Sequence, residues 1–278
     1  MRGHGARRTS LPPNGPLLVM DGQQYQLAAE AFRSLRTNLQ YAALGSPLRI
    51  LTVTAAGPDE GKSFITANLA VAMAQGGTRV LAVGADLRRP ALHRAFGLDY
   101  RVGLTSVLMG RMSLEEAVRH TEPWGVDVLP SGPLPPNPAE LLGSRQMAAL
   151  LEEMKQRWEL VLLDTPPVVA LSDAALLAAR SDGVLLVVTA YQTPRDVVVA
   201  ARRQLEQVGA RILGVVLNRV RPSESGRYHY YYYYYSRDGS SAESPRDGRW
   251  SHAERPSASL AGRATGVMAD RIPGGRDA

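Results

Sequence analysis

The chain has 278 residues, 45% of them hydrophobic, a formal net charge of +6 and no cysteine. That length and apolar content suit one α/β domain of about 200 residues with loose ends, and the missing cysteine excludes a disulfide framework and thiolate metal sites. Only two of the 32 basic residues are lysines, Lys62 and Lys155, and the arginines are spread along the chain, which reads as compositional bias rather than a nucleic-acid patch.

Residues 1–20 are rich in Gly, Pro and Arg, and the expectation is a disordered segment. Pro12-Pro13-Asn14-Gly15-Pro16 stands where a signal peptide needs an apolar stretch, and no apolar run approaches the roughly 18–20 residues of a membrane span. The chain is therefore expected to be cytoplasmic, meeting a membrane only through a partner. Five scattered histidines offer no ligand spacing, so a metal held by protein ligands alone is not expected.

Residues 27–43 carry the spacing of an amphipathic helix. From 48 to 218, apolar strands alternate with helical stretches. Strands are predicted at 49–54, 79–84, 126–130, 160–164, 183–189 and 212–218, and helices near 62–76, 104–109, 113–120, 138–157, 172–180 and 194–208. Near-continuous apolar strands such as 184–188 need a parallel sheet covered on both faces. The predicted fold is a doubly wound, mostly parallel α/β domain over 21–221, with helices flanking the sheet and a disordered tail over 222–278. Ligands of such sheets bind beyond the carboxyl ends of the strands.

Ala56-Gly57-Pro58-Asp59-Glu60-Gly61-Lys62-Ser63 follows the first strand and opens the helix at 62. Strand, glycine-rich loop and helix in that order make a phosphate-binding loop and give the predicted domain the P-loop NTPase type. Backbone N–H groups of 57–63 are placed around phosphates at a helix N-terminus, where the dipole favours anions. Gly57, Pro58, Asp59, Glu60, Gly61, Lys62, Ser63 and Phe64 form the predicted ATP-binding set. Lys62 is assigned to the β- and γ-phosphates and the Ser63 hydroxyl to Mg²⁺. The strand Leu160-Val161-Leu162-Leu163-Asp164 ends in a carboxylate, the position of a Walker B aspartate, so Asp164 is a second Mg²⁺ candidate. An Asp capping the turn before Pro166-Pro167 is the alternative.

Seven of the eleven tyrosines, Tyr228, Tyr230, Tyr231, Tyr232, Tyr233, Tyr234 and Tyr235, lie in a segment with no core-forming pattern. Strand 212–218 should end at the same sheet edge as the phosphate loop. About 10–15 residues of flexible chain reach roughly 17–23 Å, enough for a tyrosine hydroxyl to come near a nucleotide site.

Further motifs are specific in combination: Glu30-Ala31-Phe32-Arg33-Ser34-Leu35-Arg36-Thr37-Asn38-Leu39, Ala85-Asp86-Leu87-Arg88-Arg89-Pro90, the segment 131–142, Leu163-Asp164-Thr165-Pro166-Pro167 and Gly214–Val220. With the phosphate loop and the tyrosine run, they resemble the bacterial tyrosine kinases of capsule and exopolysaccharide systems, relatives of the partitioning ATPases. The ParA/MinD-like ATPases carry an extra lysine just after the first position of the loop, where this chain has Gly57.

The resemblance implies an ATP- and Mg²⁺-dependent protein-tyrosine kinase that phosphorylates its own tail between subunits of a ring. It implies catalytic roles for Lys62, Asp86 and Asp164, with Asp86 joining Ser63 and Asp164 at the metal, and an adenine contact for Asn218. Glu30, Arg33 and Arg36 match a ring-assembly helix; an exposed helix with intrahelical ion pairs is the alternative. The implied partners are further copies of this chain, tyrosine-bearing protein substrates and a separate transmembrane activator of the polysaccharide chain-length or export type. Arg88 and Arg89 are candidates for phosphate, phosphotyrosine or activator contacts, against simple solvated surface. One departure stands out. The family motif reads Asp-x-Asp-x-Arg, and this chain has Gly84-Ala85-Asp86-Leu87-Arg88. The first aspartate, thought to help deprotonate the attacking tyrosine, is absent, which opens a second reading as a nucleotide-binding scaffold.

Overall fold

A computed structural model describes Leu18 and residues 25–220. The tyrosine run and nearly all of the two segments expected to be disordered lie outside the described residues.

Among the described residues seven strands form one sheet: β1 (Ile50–Ala55), β2 (Val80–Gly84), β3 (Arg119–Thr121), β4 (Val126–Leu129), β5 (Leu160–Asp164), β6 (Gly183–Thr189) and β7 (Ile212–Asn218). Their order is β3-β4-β2-β5-β1-β6-β7. All neighbours are parallel except β3, which runs antiparallel to β4. The doubly wound, mostly parallel α/β fold expected of the sequence is the one observed.

Strands β1, β2, β5 and β6 are buried along their whole length, as strands covered on both faces must be. On one face Leu51, Val53, Ala82, Leu162 and Leu185 pack against α1 (Gln26–Ala42), α2 (Lys62–Gln75) and α3 (Leu92–Ala95). On the other face Ile50, Leu81, Val83, Val161 and Leu163 meet α4 (Leu104–Leu108), α5 (Leu114–Ala117), α6 (Pro138–Gly143) and α7 (Arg145–Arg157). Val184, Leu186 and Val188 continue that face toward α8 (Ser172–Ala178) and α9 (Arg195–Gln207). Each buried Val, Leu or Ile among them contributes about 1.5–3 kcal/mol relative to exposure.

Three expectations change. The helix read over 113–120 stops after one turn, held by the Ser113–Glu116 capping box, and the chain extends through Val118 into β3, which the helical reading had absorbed. The helix read over 138–157 breaks at Ser144, whose hydroxyl donates to the Leu141 carbonyl and accepts from Met147 N–H. Arg180 donates to the freed carbonyls of Leu142, Gly143 and Ser144, so a distant side chain supports the break. Helix α3 is a single turn, too short for any periodicity to betray.

Helix α2 is the central helix, buried from Ile65 to Met73 between α1 and the sheet. Its position fixes the phosphate loop at the carboxyl edge, where β5, β2, β6 and β7 also end.

Candidate active site

The loop after β1 turns into α2 through Gly61, which sits at φ 90° as the helix N-cap. Only glycine adopts that conformation at little cost, and here a Cβ would also collide with the Asn218 amide nitrogen. The first-turn N–H groups of α2 point into the loop, as a phosphate site needs. Lys62 and Ser63 are the first two helical residues; Lys62 is only 8% exposed. The Phe64 ring packs edge-on to Phe32 of α1, centroids 5.9 Å apart, so its side chain belongs to the helix interface and only its backbone faces the loop.

Asp164 ends β5 beside this loop and is fully buried. Among the described residues neither carboxylate oxygen makes a well-formed hydrogen bond, although the Ser63 hydroxyl is near enough to act on it. Burial pushes its carboxyl up to about 7, against the opposing pull of the Lys62 charge and the Ser63 hydroxyl, while Asp86 adds to the rise. A buried carboxylate without a well-formed bond is costly unless a cation completes it. Asp164, Ser63 and nucleotide phosphates therefore suit Mg²⁺, which takes one or two protein oxygens and fills the rest with phosphate and water.

Asp86 follows β2 and is 5% exposed. Its Oδ1 accepts from Arg88 N–H at 3.2 Å and Arg89 N–H at 2.9 Å, closing a tight turn and leaving Oδ2 unused by that turn. Arg88 is tied down elsewhere. Its guanidinium donates twice, at 2.8 and 3.0 Å, to Asp173, a buried acid in the first turn of α8. Asp173 escaped notice in the sequence because an acid near a helix start reads as ordinary capping.

Gly84 lies directly opposite Asp164 in the register of β2 and β5. A Cβ there would stand 3.0 Å from Ser131 N and 3.5 Å from the Pro130 carbonyl carbon. The segment after β4 thus lies close over the position where the family motif carries its first aspartate.

The loop is also held from the side. Glu60 is buried, accepting from Ala56 N–H at 3.2 Å through Oε2 and from the Thr193 hydroxyl at 2.7 Å through Oε1. Asn218, at the end of β7, donates to the Glu60 carbonyl at 2.8 Å, and Arg219 donates to the Asp59 carbonyl at 2.9 Å. Thr193 carried no sequence signal, and Arg219 none beyond its place in the Gly214–Val220 motif. On α1, Glu30 and Arg33 form an exposed i,i+3 ion pair at 2.8 Å, whereas Arg36 bonds the Ala72 carbonyl near the C-terminus of α2. Arg36 thus has a contact inside the fold, while Glu30 and Arg33 are exposed.

Residues 51–237 match the CobQ/CobB/MinD/ParA nucleotide binding domain. The chain is 42% identical over 202 residues to the tyrosine-protein kinase YwqD of Bacillus subtilis, covering 73% of this chain and 85% of that one. It is 39% identical to the tyrosine-protein kinase ptk of Acinetobacter johnsonii, covering 77% of this chain but only 29% of that protein. The solved kinase domain of the Escherichia coli tyrosine kinase ETK superposes with a TM-score of 0.69 at 36% identity, covering 77% of this chain and 87% of that one.

Proposed function

This chain belongs to the bacterial tyrosine-protein kinases, within the CobQ/CobB/MinD/ParA class of nucleotide-binding domains, and from that premise we propose that it transfers the γ-phosphoryl group of ATP to tyrosines of its own C-terminal run. The observation that carries the reading is the fully buried Asp164, without a well-formed hydrogen bond, beside Lys62 and Ser63. No strong bond within the fold accounts for this buried carboxyl, and a metal would favour its charged form.

In the proposed reaction, loop N–H groups and Lys62 bind the β- and γ-phosphates and neutralise charge as it shifts toward the leaving oxygen. Mg²⁺, when bound by Asp164 and Ser63, supplies further neutralisation of phosphate charge. The attacking phenol oxygen bonds phosphorus as the bond to the ADP oxygen breaks, and the phenol proton must pass to a base. A free tyrosine hydroxyl titrates near 10, so base help is typically worth about 10²–10⁴-fold. Asp86 has one carboxylate oxygen outside its turn and is the candidate base in place of the residue missing at 84. Phosphoryl transfer relies chiefly on positioning and charge, so a slower reaction, rather than none, is expected.

Tyr228 and Tyr230 to Tyr235 are the proposed acceptors, reached between copies in a ring. Each phosphate adds about −1.5 to −2 charges, and several on one tail would loosen such a ring by repulsion. Asn218 is proposed to contact adenine with the hydrogen-bonding capacity its loop contact leaves. Glu30 and Arg33 are the exposed members of the proposed assembly helix. No helix among the described residues is long and apolar enough to cross a membrane, and a separate transmembrane activator of the polysaccharide export type is the proposed link to the membrane. Regulation of capsule or exopolysaccharide synthesis is the proposed output.

Gly84 favours a second reading, a nucleotide-binding scaffold of the same machinery that does not transfer phosphate. Incubation with Mg·ATP, followed by phosphopeptide mapping with and without a candidate activator, decides between them. Phosphate on the tyrosine run supports the kinase. ATP binding without phosphate supports the scaffold.

A further inference from the structure

The described residues contain three non-glycine residues with left-handed backbone: Asp59 at φ 56°, Tyr191 at φ 63° and Arg219 at φ 59°. All three border the phosphate loop. Asp59 is in the loop itself. Tyr191 is in the turn after β6 that delivers Thr193 to Glu60, and Arg219 follows β7 and bonds Asp59. Left-handed backbone in residues with a Cβ is held only where the surroundings over-determine it, and it gathers at functional sites.

The contacts explain what is being held. In a trans peptide unit the C=O of one residue and the N–H of the next lie in one plane and point opposite ways. Arg219 holds the Asp59 carbonyl at 2.9 Å and so aims the Glu60 N–H. Asn218 holds the Glu60 carbonyl at 2.8 Å and so aims the Gly61 N–H. Thr193 holds the Glu60 carboxylate at 2.7 Å while that carboxylate accepts from Ala56 N–H, closing the neck of the loop. Thr193 is itself fixed, since its oxygen accepts from Thr189 N–H at 3.1 Å. The Asn218 side chain is fixed by Arg219 N–H, which donates to its Oδ1 at 2.8 Å. None of these groups needs to touch a phosphate. They orient the donors that do.

We propose that Thr193, Asn218 and Arg219 form a clasp that pre-sets the phosphate loop, making Thr193 and Arg219 positioning residues that set affinity for the nucleotide's phosphates. The inference rests on the reading of this loop as a nucleotide site. Pre-organised donors save the ordering cost that a floppy loop would pay on binding. Arg219 is exposed, so removing its side chain should affect the loop far more than global stability. Its position one residue before Val220 also places the clasp at the point where the chain leaves β7 for the tyrosine-bearing segment.

The test is calorimetric titration of full-length protein with Mg·ADP, alongside melting of the nucleotide-free form. Arg219→Ala should weaken Mg·ADP about 3- to 10-fold with nucleotide-free melting close to wild type; Thr193→Val should weaken Mg·ADP similarly, with a lowered melting temperature because Glu60 and the Thr189 N–H lose a partner. Arg219→Gly, which relieves the left-handed backbone but also lacks the donor, should be as weak as Arg219→Ala. Arg219→Lys, which keeps a donor for the Asp59 carbonyl, should recover most of the affinity. Wild-type affinity in Arg219→Ala and Thr193→Val would overturn the clasp, as would recovery by Gly but not by Lys. Absence of Mg·ADP binding in the wild type itself would instead overturn the nucleotide reading, and the clasp with it.

Discussion

The carboxyl ends of β1 and β2 lie either side of β5, yet they are built in opposite ways. After β1 the chain forms a phosphate loop whose Asp59 and Glu60 carbonyls and Glu60 carboxylate are held by side chains from two other strand ends. After β2 it has Gly84, with the Pro130–Ser131 backbone close over it, and an Asp86 with one oxygen committed to its own turn. The first end is reinforced for binding. The second is thinned where the family motif places acid–base chemistry. Binding and transfer can therefore be separated in this chain, and variants at the two ends should separate them.

The largest effect belongs to the β1 side. Lys62→Ala should cut phosphoryl transfer by about 10²–10³-fold through loss of charge neutralisation. The same variant should lose most of the melting-temperature rise that Mg·ATP gives the wild type. A Lys62→Ala protein that transfers phosphate at the wild-type rate would break the comparison at its stronger end.

Asp164 comes next. With no metal bound, burial raises its carboxyl from the ordinary carboxylate range to about 7. The folded chain then holds this proton more tightly than the unfolded chain. Its contribution to stability is full below about pH 4, the unfolded value, and is lost as pH rises through about 7. Asp164→Asn should therefore flatten the melting-temperature curve of nucleotide-free protein between about pH 4 and 7, while abolishing the Mg²⁺ dependence of nucleotide binding. An unchanged Mg²⁺ dependence would move the metal away from β5.

The smallest expected change tests the β2 side. Gly84→Asp must push the Ser131 backbone aside by a few tenths of an ångström, and overpacking of that kind costs about 1–3 kcal/mol. A lowered melting temperature with faster tyrosine phosphorylation would show that Gly84 is where transfer is limited. A lowered melting temperature with no gain would leave Asp86, or the activator, as the limiting element.

The sequence was most legible where spacing and chemistry coincide. The apolar runs of β1, β5 and β6, the Gly61-Lys62-Ser63 helix start and the carboxylate ending β5 each carry their own signal, because period and residue type are local properties. Strand β3 and the break at Ser144 were not legible. One depends on pairing with β4, the other on Arg180 arriving from beyond α8 to satisfy the end of α6. The clasp was hidden for the same reason, since Thr193 and Arg219 stand 133 and 160 positions from the loop residues they hold. Arg88 shows the converse: its motif suggested a ligand, and the fold gives it Asp173.

The most direct test of the central claim is the intact mass of phosphatase-treated full-length protein, before and after Mg·ATP, beside Lys62→Ala and with a candidate activator present. The proposed kinase predicts steps of one phosphate that map to Tyr228 and Tyr230–Tyr235 and are absent in Lys62→Ala. An unmodified mass, in protein shown to bind ATP, would contradict it and leave the scaffold.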